Sequence, residues 1–337
     1  MTTTIKIAVP MAGFGTRMRP HTWSKPKPLV PIAGRTVLDY ALDQFKSLPV
    51  DWDVEYIFIT GEQGKAPIQK HMEKFHPEKK VQYLIQAVMR GQSDALYLAR
   101  DYLKGPTLMA FSDTLIETDL SFLAAENADG LAWVKPVPDP RRFGVAQVTP
   151  EGHVTRLIEK PQDISNNLVI VGFYYFKNGE DLIDAIEEQM RRGTTLKGEY
   201  FLADAVNILL ERGQIFRTVP VEIWLDAGIP ETTLETNGYL LHHGCDNSQR
   251  YAGQDGLVVV PPVYIDPSAE VRHAVIGPNV SIGANCKVSE AVIRNSIIGD
   301  ESTIDQMILT DSLIGDRVIL TGQPDRLNVG DNSQITR

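Results

Sequence analysis

Apolar and polar positions change rhythm several times along this chain. Ile5 to Val9 is a short apolar run, the pattern of a strand buried on both faces in a parallel sheet. Val37 to Leu48 then carries apolar residues at Val37, Leu38, Tyr40, Ala41, Leu42 and Phe45, which is a helical period. The alternation continues with strands expected at Val54–Thr60, Val81–Ile85 and Thr107–Phe111, and helices at Lys65–Phe75 and Asp94–Leu103. Strand following helix as far as Phe111 predicts an α/β domain with a mainly parallel sheet and ligands beyond the carboxyl ends of its strands. Further strands are expected at Gly130–Pro136, at Phe143–Ile158 with a break at Pro150–Gly152, at Asn167–Phe176 and at Trp224–Asp226. A helix over Ile229–Leu241 closes this part.

From Leu257 the helical period disappears. Ile282, Ile298 and Ile314 are evenly spaced, each followed by glycine, and Val288, Ile304 and Leu320 share that spacing. Upstream, Ile265, Val271, Ile276 and Ile282 fall five or six apart. Three apolar corners per turn, stacked turn on turn, predict a parallel β-helix of about four coils. The expected domains are therefore 1–242 and 257–337, joined by a polar linker over 243–256.

Composition adds class and compartment. The chain has 337 residues, 43% hydrophobic and 23% charged, an ordinary globular balance with room for two domains. MTTTIKIAVP lacks the basic start and long apolar core of a signal peptide, and no apolar run nears the roughly 20 residues of a membrane span. Cys245 and Cys286 are far apart in the chain and lack metal or disulfide spacing. His242, His243 and Cys245 cluster in the linker but lack further ligands, so no metal site is expected there. A cytoplasmic protein without membrane or nucleic-acid partners is expected.

Charge is unevenly placed. Between Met1 and Leu38 stand Lys6, Arg17, Arg19, Lys25, Lys27 and Arg35 with no Asp or Glu, while the chain as a whole carries 33 basic and 43 acidic residues. A cationic island in an acidic protein points to a local anion site. It surrounds a glycine loop, Ala12-Gly13-Phe14-Gly15-Thr16-Arg17, that follows the first strand. Glycine there lets backbone N–H groups approach a phosphate, although a Gly-x-Gly loop alone is also an ordinary tight turn. Neither the dinucleotide fingerprint nor a Walker A sequence is present, since Met18 replaces the third glycine and GEQGKAP lacks the Ser or Thr.

The longer combination is specific: Gly13-x-Gly15-Thr16-Arg17-x-x-Pro20, then Lys25-Pro-Lys27-Pro-Leu-x-Pro31. It resembles the signature of the sugar-nucleotide pyrophosphorylases, nucleotidyltransferases that join a nucleoside triphosphate to a sugar 1-phosphate. The resemblance implies that Ala12, Gly13, Gly15 and Thr16 wrap the triphosphate and that Arg17 and Lys27 are the catalytic pair positioning it. Val9-Pro10 is similar to uridylyltransferases acting on glucose 1-phosphate. Pro26-Lys27-Pro28-Leu29-Val30-Pro31 is similar to mannose-1-phosphate guanylyltransferases and to the longer thymidylyltransferases.

Further motifs extend the likeness. Gln86 with Gly91 implies a contact to a pyrimidine edge, where an amide offers both a donor and an acceptor. Asp94 is expected only as a helix cap or first-turn residue. Strand-end Asp113 and the Leu225-Asp226-Ala-Gly228 turn supply two carboxylates, a set that suits magnesium and its phosphates, and the family holds Mg2+ with the same two motifs. Gly144, Glu159, Lys160, Gly172 and Glu199 are implied as the sugar-phosphate site, with Lys160 on the phosphate and Glu159 on hydroxyls. Gly172 interrupts a buried strand, which requires something packed closely against it. Asp204 is expected to be structural.

These readings imply a magnesium-dependent transfer of a nucleotidyl group from UTP or dTTP to a hexose 1-phosphate, glucose first. A GTP:mannose-1-phosphate enzyme is the nearest alternative. A nucleotide-sugar-binding regulator would show a degraded set of Arg17, Lys27, Asp113, Lys160 and Asp226, yet all five are present. A scaffold or acyltransferase would need longer repeats with a catalytic histidine, and His273 is the single histidine there. The resemblance also implies a left-handed β-helix; oligomer contact or allosteric packing is its expected use, and a homo-oligomer is expected.

Overall fold

The computed structural model describes residues 2–322. The chain divides into two compact units, one of residues 1–30 and 35–233, the other of residues 31–34 and 234–337.

The first unit contains strand β1 (Thr4–Met11), with β2 (Pro31–Ile32) and β3 (Arg35–Thr36) following in the chain, β2 belonging to the second unit. Helix α1 (Val37–Asp43) starts at a capping box: Thr36 accepts from the Asp39 N–H while the Asp39 carboxylate accepts from the Thr36 N–H. There follow β4 (Asp53–Thr60), α2 (Glu62–Phe75), β5 (Lys80–Ile85), α3 (Gln92–Leu98), β6 (Thr107–Ala110) and β7 (Thr114–Ile116). Then come β8 (Gly130–Pro136), β9 (Gly144–Val148), β10 (Val154–Glu159), β11 (Leu168–Phe176), α4 (Gly179–Arg192), α5 (Leu202–Glu211), β12 (Phe216–Pro220) and β13 (Trp224–Asp226). The expected strand at 143–158 is thus two strands joined by a turn.

Nine strands form one sheet, in order β10-β9-β11-β6-β1-β4-β5, with β8 paired to β11 and β12. Its Rossmann-like part is parallel, β6-β1-β4-β5, as the strand-helix alternation requires. Beyond β6 the sheet is mixed, because β11 runs antiparallel to β6, β8 and β9. Two buried clusters cover its faces. One joins α3, α4 and α5 through Leu96, Leu182, Ile186, Val206 and Leu209; the other joins α1 and α2 through Leu38, Leu42, Ile68 and Met72. Helices α1 and α3 are shorter than the periodicity predicts, ending at Asp43 and Leu98 and continuing as turns.

In the second unit, twelve short strands between Leu257 and Thr321 form three four-stranded parallel sheets, one per face of a coil. The even spacing of the apolar residues is the register itself: Ile282 pairs with Ile298 and Ile298 with Ile314, while Val288 pairs with Ile304 and Ile304 with Leu320. The first coils are one residue longer, as in Val263 with Val280 and Val271 with Val288. These apolar corners fill one core, consistent with the expected left-handed β-helix.

The division between the two units falls within α6 (Pro230–Leu240), and residues 234–242 group with the second unit. Buried Asn237 explains the grouping. Its Oδ1 accepts from Ala33 N at 2.9 Å and from Ser281 Oγ at 2.6 Å, and its Nδ2 donates to the Asn279 carbonyl. The expected linker is folded as well, since Asn247 bonds through backbone and side chain to Val263 and Ile265. Residues 323–337 of the expected 257–337 domain lie outside the described residues. Among the described residues no helix is long and apolar enough to cross a membrane.

Candidate active site

All of the expected site residues lie in the first unit. Strand β1 delivers the glycine loop at its carboxyl end, and a cleft of about 400 Å³ opens there, lined by Gly13, Gly15, Thr16, Arg17, Lys27 and Asp113 among others. Gly15 has φ +59, and a Cβ on it would stand 2.9 Å from Thr22 Cγ2, while Thr22 Oγ1 donates to the Gly15 carbonyl at 2.8 Å. This position therefore needs glycine to turn the chain into the short 3-10 helix Thr16–Met18. Gly13 differs, since nothing lies within 4 Å of its would-be Cβ. Space for a ligand exists against its backbone. Ala12 is buried behind the loop, its carbonyl 3.1 Å from the position of a Cβ on Gly61.

Across the cleft, β6 ends and the chain turns through Phe111 and Ser112 to Asp113. Strand β13 pairs antiparallel with β7, placing Asp226 opposite Thr114, and Ala227 N donates to the Asp113 carbonyl at 3.0 Å. That ladder brings together two carboxylates that stand far apart in the sequence. The Lys27 ammonium is paired with Asp113. Burial pushes the Asp226 carboxyl above the usual carboxylate range, the neighbouring Asp113 charge adds to this, and Lys27, Thr232 and Arg17 oppose it. A Cβ on Gly228 would meet Asp226 Oδ1 at 2.6 Å, so a larger residue there would displace that carboxylate. Two neighbouring carboxylates, both half-buried, form a donor set that fits a hard divalent cation.

The remaining expected residues lie outside the lining of this cleft: Gln86 meets Gly91, Gly144 and Lys160 each meet Glu159, and Gly172 packs against Phe111 of the cleft wall. Gln86 is buried, its Nε2 donating to Asp94 Oδ2 at 2.8 Å and to the Gly91 carbonyl at 3.3 Å. The donor half of the amide is thus committed within the protein, and Oε1 remains as the acceptor. Asp94 sits in the first turn of α3, where it also holds Arg90 at 2.7 Å. Gly91 has φ +105 and would place a Cβ 2.5 Å from the Tyr200 carbonyl oxygen, so the loop after β5 rests on the Tyr200 backbone. Two hydrogen bonds fasten it, Tyr200 N to Arg90 O and Ser93 N to Tyr200 O.

From Tyr200 the chain of contacts continues. Lys160 Nζ lies 4.3 Å from the centre of the Phe201 ring and 3.7 Å from Glu159 Oε1. Burial raises the Glu159 carboxyl above its ordinary value. Lys160 opposes the rise, and the charges of Asp204 and Glu199 reinforce it. Gly144 pairs with Glu159 across β9 and β10, and a Cβ on it would stand 3.1 Å from Glu159 Oε2. Glu199 is exposed, in a turn closed by reciprocal backbone bonds with Leu196. Asp204 occupies the first turn of α5.

Gly172 has the close neighbour that its place in a buried strand requires. The β11 pairing slips between Ile170 and Tyr174, Gly172 takes φ +78, and its would-be Cβ lies 2.1 Å from the Phe111 ring. That neighbour is a side chain of the protein, and Phe111 is itself part of the cleft wall. The sequence reading missed Phe111, exposed Phe14 and Thr232, whose hydroxyl donates to Asp226 Oδ2 at 3.2 Å. Phe14 carried a signal, an aromatic side chain between two glycines. Thr232 carried none, because its role depends on the turn from β13 into α6.

The chain has counterparts among known proteins. The nucleotidyl transferase family model matches residues 9–242, and the GMPPB C-terminal domain model matches residues 259–323. The low-salt glycan biosynthesis nucleotidyltransferase Agl11 of Haloferax volcanii is 32% identical, over 96% of this chain and 97% of its own. A glucose-1-phosphate thymidylyltransferase of Streptomyces griseus is 27% identical, over 98% of this chain and 99% of its own. Among solved structures, a UDP-glucose pyrophosphorylase complexed with UDP-glucose superposes with a TM-score of 0.61 over 72% of this chain and 100% of that one, at 21% identity, a likeness of fold. With the family model spanning well over half of its length, and a relative 32% identical along nearly all of it, the chain belongs to the nucleotidyl transferase family as an enzyme of the sugar-nucleotide kind.

Proposed function

We propose that this enzyme transfers a nucleotidyl group from UTP or dTTP to a hexose 1-phosphate, glucose 1-phosphate first, with Mg2+ held by Asp113 and Asp226. The observation that carries the reading is the cleft lined by the Gly13–Arg17 loop, Lys27 and Asp113, with Asp226 set beside Asp113 by the β13–β7 ladder. A phosphate oxygen of the sugar 1-phosphate attacks the α-phosphorus, the bond from that phosphorus to the bridging oxygen breaks, and pyrophosphate leaves with the electron pair. No proton moves, so no general base is needed. The barrier is repulsion between anions and charge gathering on the leaving group.

Arg17 and Lys27 position the triphosphate, and Lys160 holds the sugar phosphate, with Glu159 accepting from sugar hydroxyls. Holding both substrates in line is worth roughly 7–11 kcal/mol. A bound magnesium ion supplies neutralisation of the crowded phosphate charge.

Gln86 bears on the base. With Nε2 given to Asp94 and Gly91, its Oε1 accepts from a ring N–H, which uracil and thymine present at N3. Guanine presents one at N1. Where Oε1 faces that ring position, adenine and cytosine offer no hydrogen, so the acceptor suits UTP, dTTP or GTP, and GTP with mannose 1-phosphate is the second reading.

The test is pyrophosphate release with magnesium, using five nucleoside triphosphates against glucose, mannose, galactose and N-acetylglucosamine 1-phosphates. Release that needs both substrates and favours UTP or dTTP is the expected result. Preference for GTP transfers the assignment to the second reading, and preference for ATP or CTP overturns the role of Gln86.

A further inference from the structure

Outside the phosphate cleft, three potential metal ligands from two helices meet at one point. Asp39 is buried in the first turn of α1. His71 lies in α2, and His76 caps the end of that helix with φ −139 and ψ 47, outside helical geometry, its ring centre 6.1 Å from that of His71. Nε2 of His71 and Nε2 of His76 are each 2.7 Å from the same oxygen, Asp39 Oδ1. The three ligand atoms all lie within 4.8 Å of one another. No other group of three or more such side chains comes together among the described residues, and His242, His243 and Cys245 do not.

The geometry points to a site for a zinc-class divalent cation at Asp39, His71 and His76, with water completing the coordination. The donor set is two imidazole nitrogens and one carboxylate oxygen, and the two borderline imidazoles make it suit zinc better than magnesium. The carboxylate is already oriented for such work. Its other oxygen, Oδ2, accepts from Thr36 N at 2.8 Å and Thr36 Oγ1 at 2.7 Å, so Oδ1 is aimed at the imidazoles by an outer partner, as metal-binding carboxylates are. Neighbouring ligand atoms around tetrahedral zinc stand about 3.3 Å apart, so each Nε2 has to retreat from Oδ1 by only about half an ångström. Side chains of His71 and His76 are 10% and 14% exposed, which leaves a path for an ion while excluding most of the solvent.

Nearby positive charge is compensated. Arg35 donates to the Asp39 carbonyl, but its guanidinium is paired with Asp43 at 2.6 Å. None of the three ligands lines the phosphate cleft. An ion here joins the start of α1 to the end of α2, so its effect is on stability rather than on turnover. Two imidazoles each donating an N–H to Asp39 without any metal is the competing account.

Chelator-treated protein titrated with Co2+ separates the two. One equivalent is expected to give the visible d–d bands of a four-coordinate nitrogen-oxygen site. Zn2+ is expected to abolish the bands and to raise the melting temperature progressively with its free concentration. In His71→Gln/His76→Gln both effects should vanish while magnesium-dependent turnover is kept. Absence of the bands in the wild type overturns the proposal, as does their persistence in the double variant or their loss in Asp226→Asn alone. Should the double variant fail to fold, histidine NMR of the wild type decides. Zn2+ must shift two imidazole Nε2 resonances, and unchanged resonances overturn the site.

Discussion

The Lys27 ammonium and the Asp113 carboxylate form an ion pair inside the cleft at the glycine loop, across 86 positions of sequence. Each is expected to hold a different part of the substrate complex, yet each occupies the other. Replacing Asp113 by Asn therefore has two effects. Turnover should fall on the order of 10²–10³, as for loss of one charge-stabilising group. Nucleotide affinity measured without magnesium should rise, because Lys27 is released toward the triphosphate. Calorimetric titration of UTP in chelator checks this, and weaker binding in the variant would show that the pair is not a competitor.

Asp226 leads to an opposite pair of changes. Burial and the Asp113 charge raise its carboxyl. A carboxyl raised by folding contributes stability below its unfolded value, and that contribution is lost as pH climbs through the folded value. At neutral pH the ionised Asp226 is therefore a cost. Asp226→Asn should raise the metal-free melting temperature while lowering magnesium-dependent turnover on the order of 10²–10³. A lower melting temperature would contradict the electrostatic account.

The sugar side carries its own pH signature. Glu159 is raised by burial, against Lys160, and further by Asp204 and Glu199. If its carboxylate accepts from sugar hydroxyls, the acid limb of kcat/KM for the sugar phosphate should lie above the ordinary glutamate value of about 4.3. Asp204→Asn removes a like charge and should move that limb to lower pH. An unmoved limb would detach Glu159 from sugar binding.

Gly91 tests the join between the loop after β5 and Tyr200. With φ +105 and a backbone oxygen 2.5 Å from the would-be Cβ, alanine has neither the conformation nor the room. Gly91→Ala should cost about 1–3 kcal/mol of stability and raise KM for both substrates, since the loop touches the segment leading to Phe201 and Lys160. A change confined to the nucleotide would show that the two sides are independent.

What the sequence could reveal was whatever depends on local spacing. The glycine loop, the evenly spaced apolar repeat and the strand-end Asp226 repeat or punctuate the chain in ways that local pattern exposes, and each appears in the structure, whereas Asp113 lies in the turn after β6, which ends at Ala110. Gly172 announced a close packing partner, although nothing local could say that the partner is Phe111. Groups assembled by tertiary folding stayed hidden. His71 and His76 stand 32 and 37 positions from Asp39, and only the packing of α1 against α2 brings them together. The amide orientation of Gln86 likewise depends on Asp94, whose local reading as a helix-start residue was correct but incomplete.

The chain visits its second compact unit twice, first for residues 31–34 and then from residue 234 onward. Modularity here is therefore one of space and not of sequence. A chain stopped at residue 233 would keep the short early segment but lose Asn237, whose amide oxygen accepts from Ala33. It would also lose Tyr264, whose ring fills the space beside Gly34. Removing the β-helix is thus no simple trimming: the stretch that links the phosphate loop to α1 would be left without its packing, and a shuffled or shortened descendant must first rewrite residues 31–34.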